Sequence, residues 1–166
     1  MGTGSIIRRI DASDVEAFKR MRLEALRAEP SAYASTYDDW AVLSDDEWLT
    51  RMSEPVFMAF LGEEPVGLAG LMRQRSGKMV HRANIVMVYV RKSQRGTGVA
   101  GDLIDAIVDE ARAMGIVQLE LAVTAENQAA VRFYERKGFV EIGRVPGALL
   151  HEGRELDDIM MARRIG

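Results

Sequence analysis

The chain has 166 residues, a formal net charge of −3, 48% hydrophobic and 28% charged residues, and no cysteine. This composition predicts one globular domain over 1–166, and the missing cysteines exclude disulfides, thiolate metal sites and a cysteine nucleophile. A basic cluster, an apolar run of ~20 residues and a signal peptide are all missing from the sequence, so we expect no nucleic-acid partner, no membrane span and a cytoplasmic location. No metal is expected, and the oligomeric state, a homodimer included, stays open.

The first half of the chain predicts helices between strands. Ser13, three residues before Glu16, has capping-box spacing for a helix, and Ser44 precedes another helix start. Pro30 ends the first helix. The predicted order is a strand at 6–10, a helix at 11–28, one or two short helices within 32–52, and strands at 56–61 and 65–73.

The second half predicts a strand at 79–90, a helix, a strand at 117–123, a second helix, and strands near 139–144 and 156–163. The order βααβββαβαββ indicates an α+β fold with a mixed sheet. Because a strand–helix–strand unit crosses over right-handed, the strands around the first of these two helices should form a parallel pair.

A glycine-rich loop, Gln94–Gly101, joins the apolar run Ile85–Val90 to a helix that starts near Val99. Glycines allow consecutive backbone N–H groups to turn toward one point at the positive end of a helix, and this arrangement binds phosphate. The loop therefore predicts a phosphate or pyrophosphate site, against the alternative of an ordinary strand-to-helix turn.

The loop also contains the G-x-G-x-x-G spacing of dinucleotide-binding proteins, with Glu120 about 20 residues further on. Five residues, Arg91 to Arg95, separate the strand from the first glycine, whereas that fingerprint turns directly after its strand. Glu120 also falls inside a predicted strand. A nicotinamide-dependent oxidoreductase is therefore disfavoured.

A second informative segment is Asn127–Phe139, which reads as a helix ended by glycine. Gly138 suits the left-handed position after a helix, and Phe139 is the apolar residue expected next. Asn127 and Tyr134 are seven residues apart and so share one helix face, with the small Ala130 between them. This face leaves room for a slender ligand.

Together the two segments resemble the GCN5-related N-acetyltransferase (GNAT) superfamily. The first motif of that superfamily, R/Q-x-x-G-x-G/A, is matched by Arg95, Gly98 and Ala100. Its second motif is matched by Asn127, Ala130, Phe133, Tyr134, Gly138 and Phe139. Segments 57–60, 65–70 and 156–161 look like other strands of the family.

The resemblance implies a mixed, mostly antiparallel sheet of about seven strands, with one splayed parallel pair around a cofactor cleft and flanking helices. It implies acetyl-coenzyme A as the acetyl donor and Tyr134 as the general acid for the departing thiolate. A backbone N–H would stabilise the oxyanion. The cofactor would be bound by the backbone of Val88 and Val90, by Arg95, Gly96, Thr97, Gly98, Val99 and Ala100, and by Asn127.

The general base is less well defined, because the strand before the loop lacks the glutamate that many family members have there. His81 is one candidate, although a solvated histidine is the plainer interpretation, and Glu120, acting through water, is another. An amine that arrives neutral would need no base.

Aromatic residues cluster with acids in the segment that would build the acceptor wall. They are Tyr33, Tyr37, Trp40 and Trp48, with Asp38, Asp39, Asp45, Asp46 and Glu47. Such a wall would suit a cationic amine, and helix packing with a solvated acidic face explains the pattern equally well. We expect an N-acetyltransferase that acts on a primary amine of a small molecule or peptide by direct attack in a ternary complex, with a non-catalytic acyl-coenzyme A sensor as the alternative.

Overall fold

A computed structural model describes residues 4–166, which form one seven-stranded sheet with helices on both faces. The sheet order is β1-β2-β3-β4-β5-β7-β6. Its strands are β1 Ile6–Arg9, β2 Val56–Leu61, β3 Glu64–Arg73, β4 Arg82–Val90, β5 Gln118–Thr124, β6 Val140–His151 and β7 Arg154–Arg164. The helices are α1 Val15–Ala28, α2 Tyr37–Ala41, α3 Asp45–Thr50, α4 Val99–Ala113 and α5 Gln128–Arg136. Within 4–166, no helix has both the length and the apolar character needed to cross a bilayer.

The single parallel pair of this sheet, β4 with β5, controls its shape. The two strands are in register only over Arg82–Asn84 and Gln118–Glu120, and they diverge beyond these residues. All the other strand pairs of the described chain are antiparallel. The predicted α+β fold with one splayed parallel pair is therefore confirmed.

Two apolar cores lie on opposite faces of the sheet. Successive residues of β2 point to different faces, so that Met58 packs under α1 whereas Ala59 packs under α4. The α4 core contains the fully buried Leu103, and the α1 core contains the fully buried Trp48. The two cores hold β2, β3 and β4 rigidly between α1 and α4.

Element ends differ from the prediction where side chains cap the backbone. Ser13 is not the N-cap, because a short 3-10 turn precedes α1 and Asp11 is the N-cap of that turn. The Asp14 side chain completes a capping box by accepting the backbone N–H of Asp11. The Arg8 guanidinium also donates two hydrogen bonds to the Asp14 carboxylate and so holds this capping side chain in place. The predicted start at Ser44 is confirmed, since its side chain accepts the Glu47 N–H in a capping box.

The strand predicted to begin at Met79 begins at Arg82 instead. A turn comes first, closed by a bond of 3.0 Å from the Arg82 N–H to the Met79 carbonyl. The last two strands are longer than predicted because β6 and β7 form an extended hairpin with two register irregularities.

Gly67 of β3 lies where α4 packs closest on the sheet. A Cβ there would be 3.0 Å from the Tyr89 carbonyl oxygen, 3.1 Å from Leu103 and 3.3 Å from Val90. We expect Gly67→Ala to lower the free energy of unfolding by about 1–3 kcal/mol, because backbone of β4 cannot move aside without breaking strand pairing. Gly77→Ala, at a turn position with open space around it, is the matched control and should stay within about 0.5 kcal/mol of the wild type or above it. Equal denaturation midpoints for the two variants would contradict this account of Gly67.

Candidate active site

A cavity of about 990 Å³, here called the cleft, opens where β4 and β5 diverge. Its walls are residues 85–90 of β4, residues 121–124 of β5, the inner face of α5, and the segments 32–35 and 53–56. A cavity of this volume, bounded by apolar strands with a few polar groups, is typical of a small-molecule site.

The N-terminus of α4 borders the cleft without a capping side chain. Gly96 and Gly98 have φ values of 78° and 94°, and Gly98 is the N-cap residue. Both are in the left-handed region, where glycine avoids the strain that a side chain would add. The first amides of α4 are thus left for an anion at the positive end of the helix.

The other loop residues occupy different places around this helix end. Gly96 and Ala100 line the cleft, whereas the side chain of Val99 is fully buried in the core. The Thr97 hydroxyl donates to the Gln94 carbonyl and closes the turn before α4. In this arrangement Thr97, Gly98 and Val99 could contribute only backbone or loop geometry to a bound phosphate.

Arg95 also lines the cleft, and the protein fixes its orientation. Its Nε donates to the Val90 carbonyl at 3.2 Å, and its Nη2 is paired with Glu29. About half of the side chain is exposed, at 47%. The guanidinium is therefore held next to the mouth of the cleft.

A bulge in β4 turns part of its backbone toward the cleft. Met87 has φ 60°, and the register with β3 shifts between Leu68 and Gly70. Arg91 donates its N–H to Val66 of β3, so by strand alternation the backbone groups of Val88 and Val90 point the other way, into the cleft.

The carbonyls of this β4 edge have side-chain partners. The Tyr33 hydroxyl donates to the Val88 carbonyl at 2.8 Å, and Arg95 donates to the Val90 carbonyl. Tyr33 was expected in the acceptor wall, but no sequence pattern indicated that it would bond to this strand. The backbone edge is thus partly satisfied by the protein and otherwise open to a ligand.

Asn127 and Tyr134 lie at the two ends of the face of α5 that lines the cleft. Asn127 caps α5 by accepting the Ala130 N–H at 3.1 Å through its side-chain oxygen, which leaves the amide nitrogen for another partner. Gly138 ends the helix region at φ 90°, and the buried Phe139 follows, as the sequence predicts.

Tyr134 is only 8% exposed, and its ring packs edge-on against Phe133 and Phe139. Burial raises the pKa of its phenol well above the ordinary value, so the proton is retained across the physiological pH range. The described chain offers the hydroxyl no hydrogen-bond partner. Tyr134 is therefore a neutral donor that faces the cleft.

His81 and Glu120, the two candidate bases, do not line the cleft. His81 is exposed in the turn before β4. The Glu120 carboxylate accepts hydrogen bonds from Arg82 at 2.7 Å and from Gln118 at 2.9 Å. The hydrogen bond from Arg82 lowers the pKa of this carboxyl. The structure does not bring either residue together with Tyr134.

The acidic wall expected around the acceptor is not found. The five acids lie on the exposed first turns of α2 and α3, away from the cleft. Trp48 is buried in the α1 core, and Trp40 and Tyr33 do line the cleft. Solvated helix starts explain the acids, because negative charge is favoured at a helix N-terminus.

Two cations of the cleft lining, Arg22 and Arg51, lie close together, since the guanidinium carbon of each is 4.5 Å from the ring centre of Trp40. Sequence reasoning missed Arg22, although a signal was present. Phe18, Met21 and Ala25 form the buried stripe of α1, and Arg22 is a charged residue inside it. A charge on an apolar stripe is an unusual burial that indicates a specific partner.

Comparison with known proteins agrees with the fold. The model of the acetyltransferase (GNAT) family matches residues 19–139, more than half of the chain. The chain therefore belongs to the GNAT family of acetyltransferases.

Similar proteins include a mycothiol acetyltransferase of Brachybacterium faecium, 29% identical over 134 residues, which cover 81% of this chain and 40% of that protein. An L-methionine sulfoximine/L-methionine sulfone acetyltransferase of Pseudomonas aeruginosa is 37% identical over 70 residues, 42% of this chain and 41% of that protein. The chain thus spans about two fifths of the length of these relatives. A putative acetyltransferase from Salmonella typhimurium, solved with its cofactor acetyl-coenzyme A, has the same fold, with a TM-score of 0.84, 22% identity, and coverage of 98% of this chain and 94% of that one.

Gly98 offers a direct test of the anion site at α4. We expect Gly98→Val to abolish acetyl-coenzyme A binding, measured by calorimetry, because the side chain strains the left-handed backbone and blocks the approach to the first amides. Gly115→Val is the matched control. It places the same side chain at φ 79° at the other end of the same helix, with open space around it.

Both variants should lose about 1–2 kcal/mol of stability, since the backbone strain is similar. Only Gly98→Val should lose the cofactor. If a folded Gly98→Val protein kept wild-type affinity for acetyl-coenzyme A, the N-terminus of α4 would not be part of the binding site.

Proposed function

We propose that this protein transfers the acetyl group of acetyl-coenzyme A to a primary amine of a small molecule or peptide, by direct attack in a ternary complex. The observation that carries the proposal is the convergence on one cleft of an uncapped helix N-terminus, an open strand edge and a buried neutral tyrosine. The relatives support the reaction class, since the Pseudomonas aeruginosa protein acetylates L-methionine sulfoximine and L-methionine sulfone.

The cofactor would lie across the cleft from α4 to α5. Its pyrophosphate would accept hydrogen bonds from the amides between Arg95 and Ala100, with the Arg95 guanidinium adding positive charge. Its pantetheine arm carries amides, which would pair with the cleft-facing backbone of Val88 and Val90 as an added strand. The side-chain amide N–H of Asn127 would donate a hydrogen bond to the arm from the opposite wall.

The acetyl group would then lie near the bulge of β4, where the acceptor nitrogen attacks the thioester carbon. The carbonyl becomes an oxyanion, which a backbone N–H at the bulge would stabilise. When the intermediate collapses, the C–S bond would break and the Tyr134 phenol would donate its proton to the thiolate. The nitrogen would lose its own proton to solvent, and the Tyr134 phenolate would take one proton back from solvent.

Tyr134 is the weaker acid of this pair, because burial raises the pKa of its phenol above the ordinary value, so the transfer depends on a more basic thiolate. A thiol has a pKa of about 8.5 in water, and burial disfavours its charged form, so a thiolate formed beside Tyr134 is a stronger base than a free one. Since the thiolate is already a fair leaving group, Tyr134 assists the step rather than being indispensable.

The described cleft lining holds two carboxylates, and both are occupied. Glu29 is paired with Arg95, and Glu54 accepts the Arg73 N–H at 2.8 Å and an Arg75 bond at 3.4 Å. We therefore propose that the acceptor amine loses its proton to water rather than to a side chain.

The alternative function is an acyl-coenzyme A sensor without catalysis, which the occupied carboxylates favour. A panel of amino acids, polyamines and peptide N-termini, with free thiol as the readout, separates the two functions. Stabilisation by acetyl-coenzyme A without thiol release from any amine would support the sensor.

Replacing Tyr134 tests the acid. Tyr134→Phe should lower turnover by roughly 10- to 1000-fold with little change in cofactor affinity, because its proton is needed only as the thiolate leaves. Phe133→Leu is a control for disturbed ring packing in the same helix. Intact turnover of Tyr134→Phe, on an acceptor for which chemistry limits the rate, would reduce Tyr134 to a packing residue.

The pH profile tests deprotonation by water. The value of kcat/KM should rise tenfold per pH unit up to the pKa of the acceptor amine, since only the free amine attacks. Two acceptors with amine pKa values about two units apart should give profiles displaced by the same interval. A shared inflection near neutral pH for both acceptors would instead reveal a base on the protein.

A further inference from the structure

Arg22 is a buried cation that lines the cleft beside Tyr33 and Trp40, and it has no anionic partner within the described chain. It is 4% exposed, and its guanidinium carbon lies 4.9 Å from the ring centre of Tyr33 and 4.5 Å from that of Trp40. The Nε and Nη1 atoms are fully buried with no hydrogen-bond partner. The ring faces attract the cation, but they do not accept its hydrogen bonds as a carboxylate would.

The charge on Arg22 persists despite its burial. Burial lowers the pKa of its guanidinium to about 10, and the neighbouring Arg51 contributes in the same direction. The group is therefore still protonated at neutral pH. A buried cation without a hydrogen-bonded partner is costly, and an anion that hydrogen-bonds the guanidinium offsets part of that cost.

The cleft itself supplies no anion for this cation. Its two carboxylates, Glu29 and Glu54, are bonded elsewhere, and neither contributes to the electrostatic surroundings of Arg22. Arg51, which stacks on Trp40 at 4.5 Å, adds positive charge beside Arg22. The Nε and Nη1 atoms of Arg22 are buried, whereas its third nitrogen, Nη2, is not one of these buried atoms. Nη2 is therefore the part of the guanidinium that a ligand in the cleft can reach.

Tyr33 fixes the distance between this charge and the reacting centre. Its ring lies against the Arg22 guanidinium, and its hydroxyl bonds the Val88 carbonyl at the bulge of β4. The Arg22 guanidinium and the Val88 carbonyl are thus separated by about the length of the Tyr33 side chain. A small acceptor can span that interval with its amine at the bulge and an anionic group at Arg22.

We propose that Arg22 binds the carboxylate of the acceptor, which makes the acceptor an amino acid or another small primary amine that carries a carboxylate. This inference rests on the acetyltransferase function proposed above. The acidic wall that the sequence offered for a cationic amine does not form here, because the acids of α2 and α3 do not reach the cleft.

The test compares each of the 20 standard L-amino acids with its own primary amide, an acceptor that differs in having no carboxylate. Wild-type kcat/KM should favour at least one acid over its amide by roughly 10- to 100-fold, the value of one charge-assisted hydrogen bond. In Arg22→Met this preference should disappear, and Arg22→Lys should keep part of it because the charge remains.

Arg27→Met is the matched control. Arg27 is on the same helix and stacks on Tyr37 at 4.4 Å, but it is exposed and does not line the cleft. It should leave the preference unchanged. Arg22→Met should also retain wild-type acetyl-coenzyme A affinity and an equal or higher melting temperature, because removal of an unpaired buried charge relieves its desolvation.

The outcomes separate the two proposals. If amines are acetylated but acids and amides react equally well, or if Arg22→Met leaves the preference intact, the carboxylate site is wrong and the acetyltransferase function stands. If Arg22→Met weakens acetyl-coenzyme A binding without altering the preference, Arg22 serves the cofactor and the proposal is also wrong.

If no amine leads to release of free thiol from acetyl-coenzyme A, the acetyltransferase function is wrong. The carboxylate site at Arg22 is then tested by thermal stabilisation with the same acids and amides in the presence of coenzyme A. Stabilisation by acids alone that is lost in Arg22→Met supports the carboxylate site. Equal stabilisation of both proteins, or none, overturns it.

Discussion

The divergence of β4 from β5 after three paired residues is the constraint on which the rest of the site depends. A strand edge inside a fold exposes N–H and C=O groups that are costly to leave unpaired. This protein satisfies part of that edge with side chains, through Tyr33 at Val88 and Arg95 at Val90. The remaining edge is suited to a ligand with amides of its own, and the same opening places the N-terminus of α4 and the face of α5 on one cavity.

The charges around the cleft divide it into two ends. Near α4, Arg95 is paired with Glu29 and held beside the helix N-terminus. Near α1, Arg22 is held by aromatic rings and has no counterion in the described chain. A folded protein tolerates an unpaired buried charge only where other contacts stabilise the structure, and such local instability is characteristic of sites that bind a ligand. The two apolar cores on either face of the sheet supply these stabilising contacts.

The wall of the cleft that α5 forms depends on how this helix begins and ends. The left-handed Gly138 turns the chain so that Phe139 is buried against Tyr134. The aromatic contacts fix the ring of Tyr134, and its burial keeps the phenol protonated. At the other end of α5, the capping role of Asn127 fixes its side chain with the amide nitrogen free. Each residue is thus oriented by the secondary structure that it helps to end or begin.

The sequence by itself determined the order of elements, the parallel pair, the glycine loop at α4 and the helix carrying Asn127 and Tyr134. These features depend on local periodicity, capping and glycine conformation, which neighbouring residues specify. Only the tertiary structure decided that Arg82 engages Glu120, that the acids of α2 and α3 face solvent, and that Tyr33 reaches Val88, 55 residues away in the chain. It also decided that Arg22 lies unpaired at the cleft. The physical reason is that these partners come from elements far apart in sequence. The pairing of β4 with β5 brings Arg82 to Glu120, and the packing of α1 on the sheet places Arg22 beside Tyr33 and Trp40.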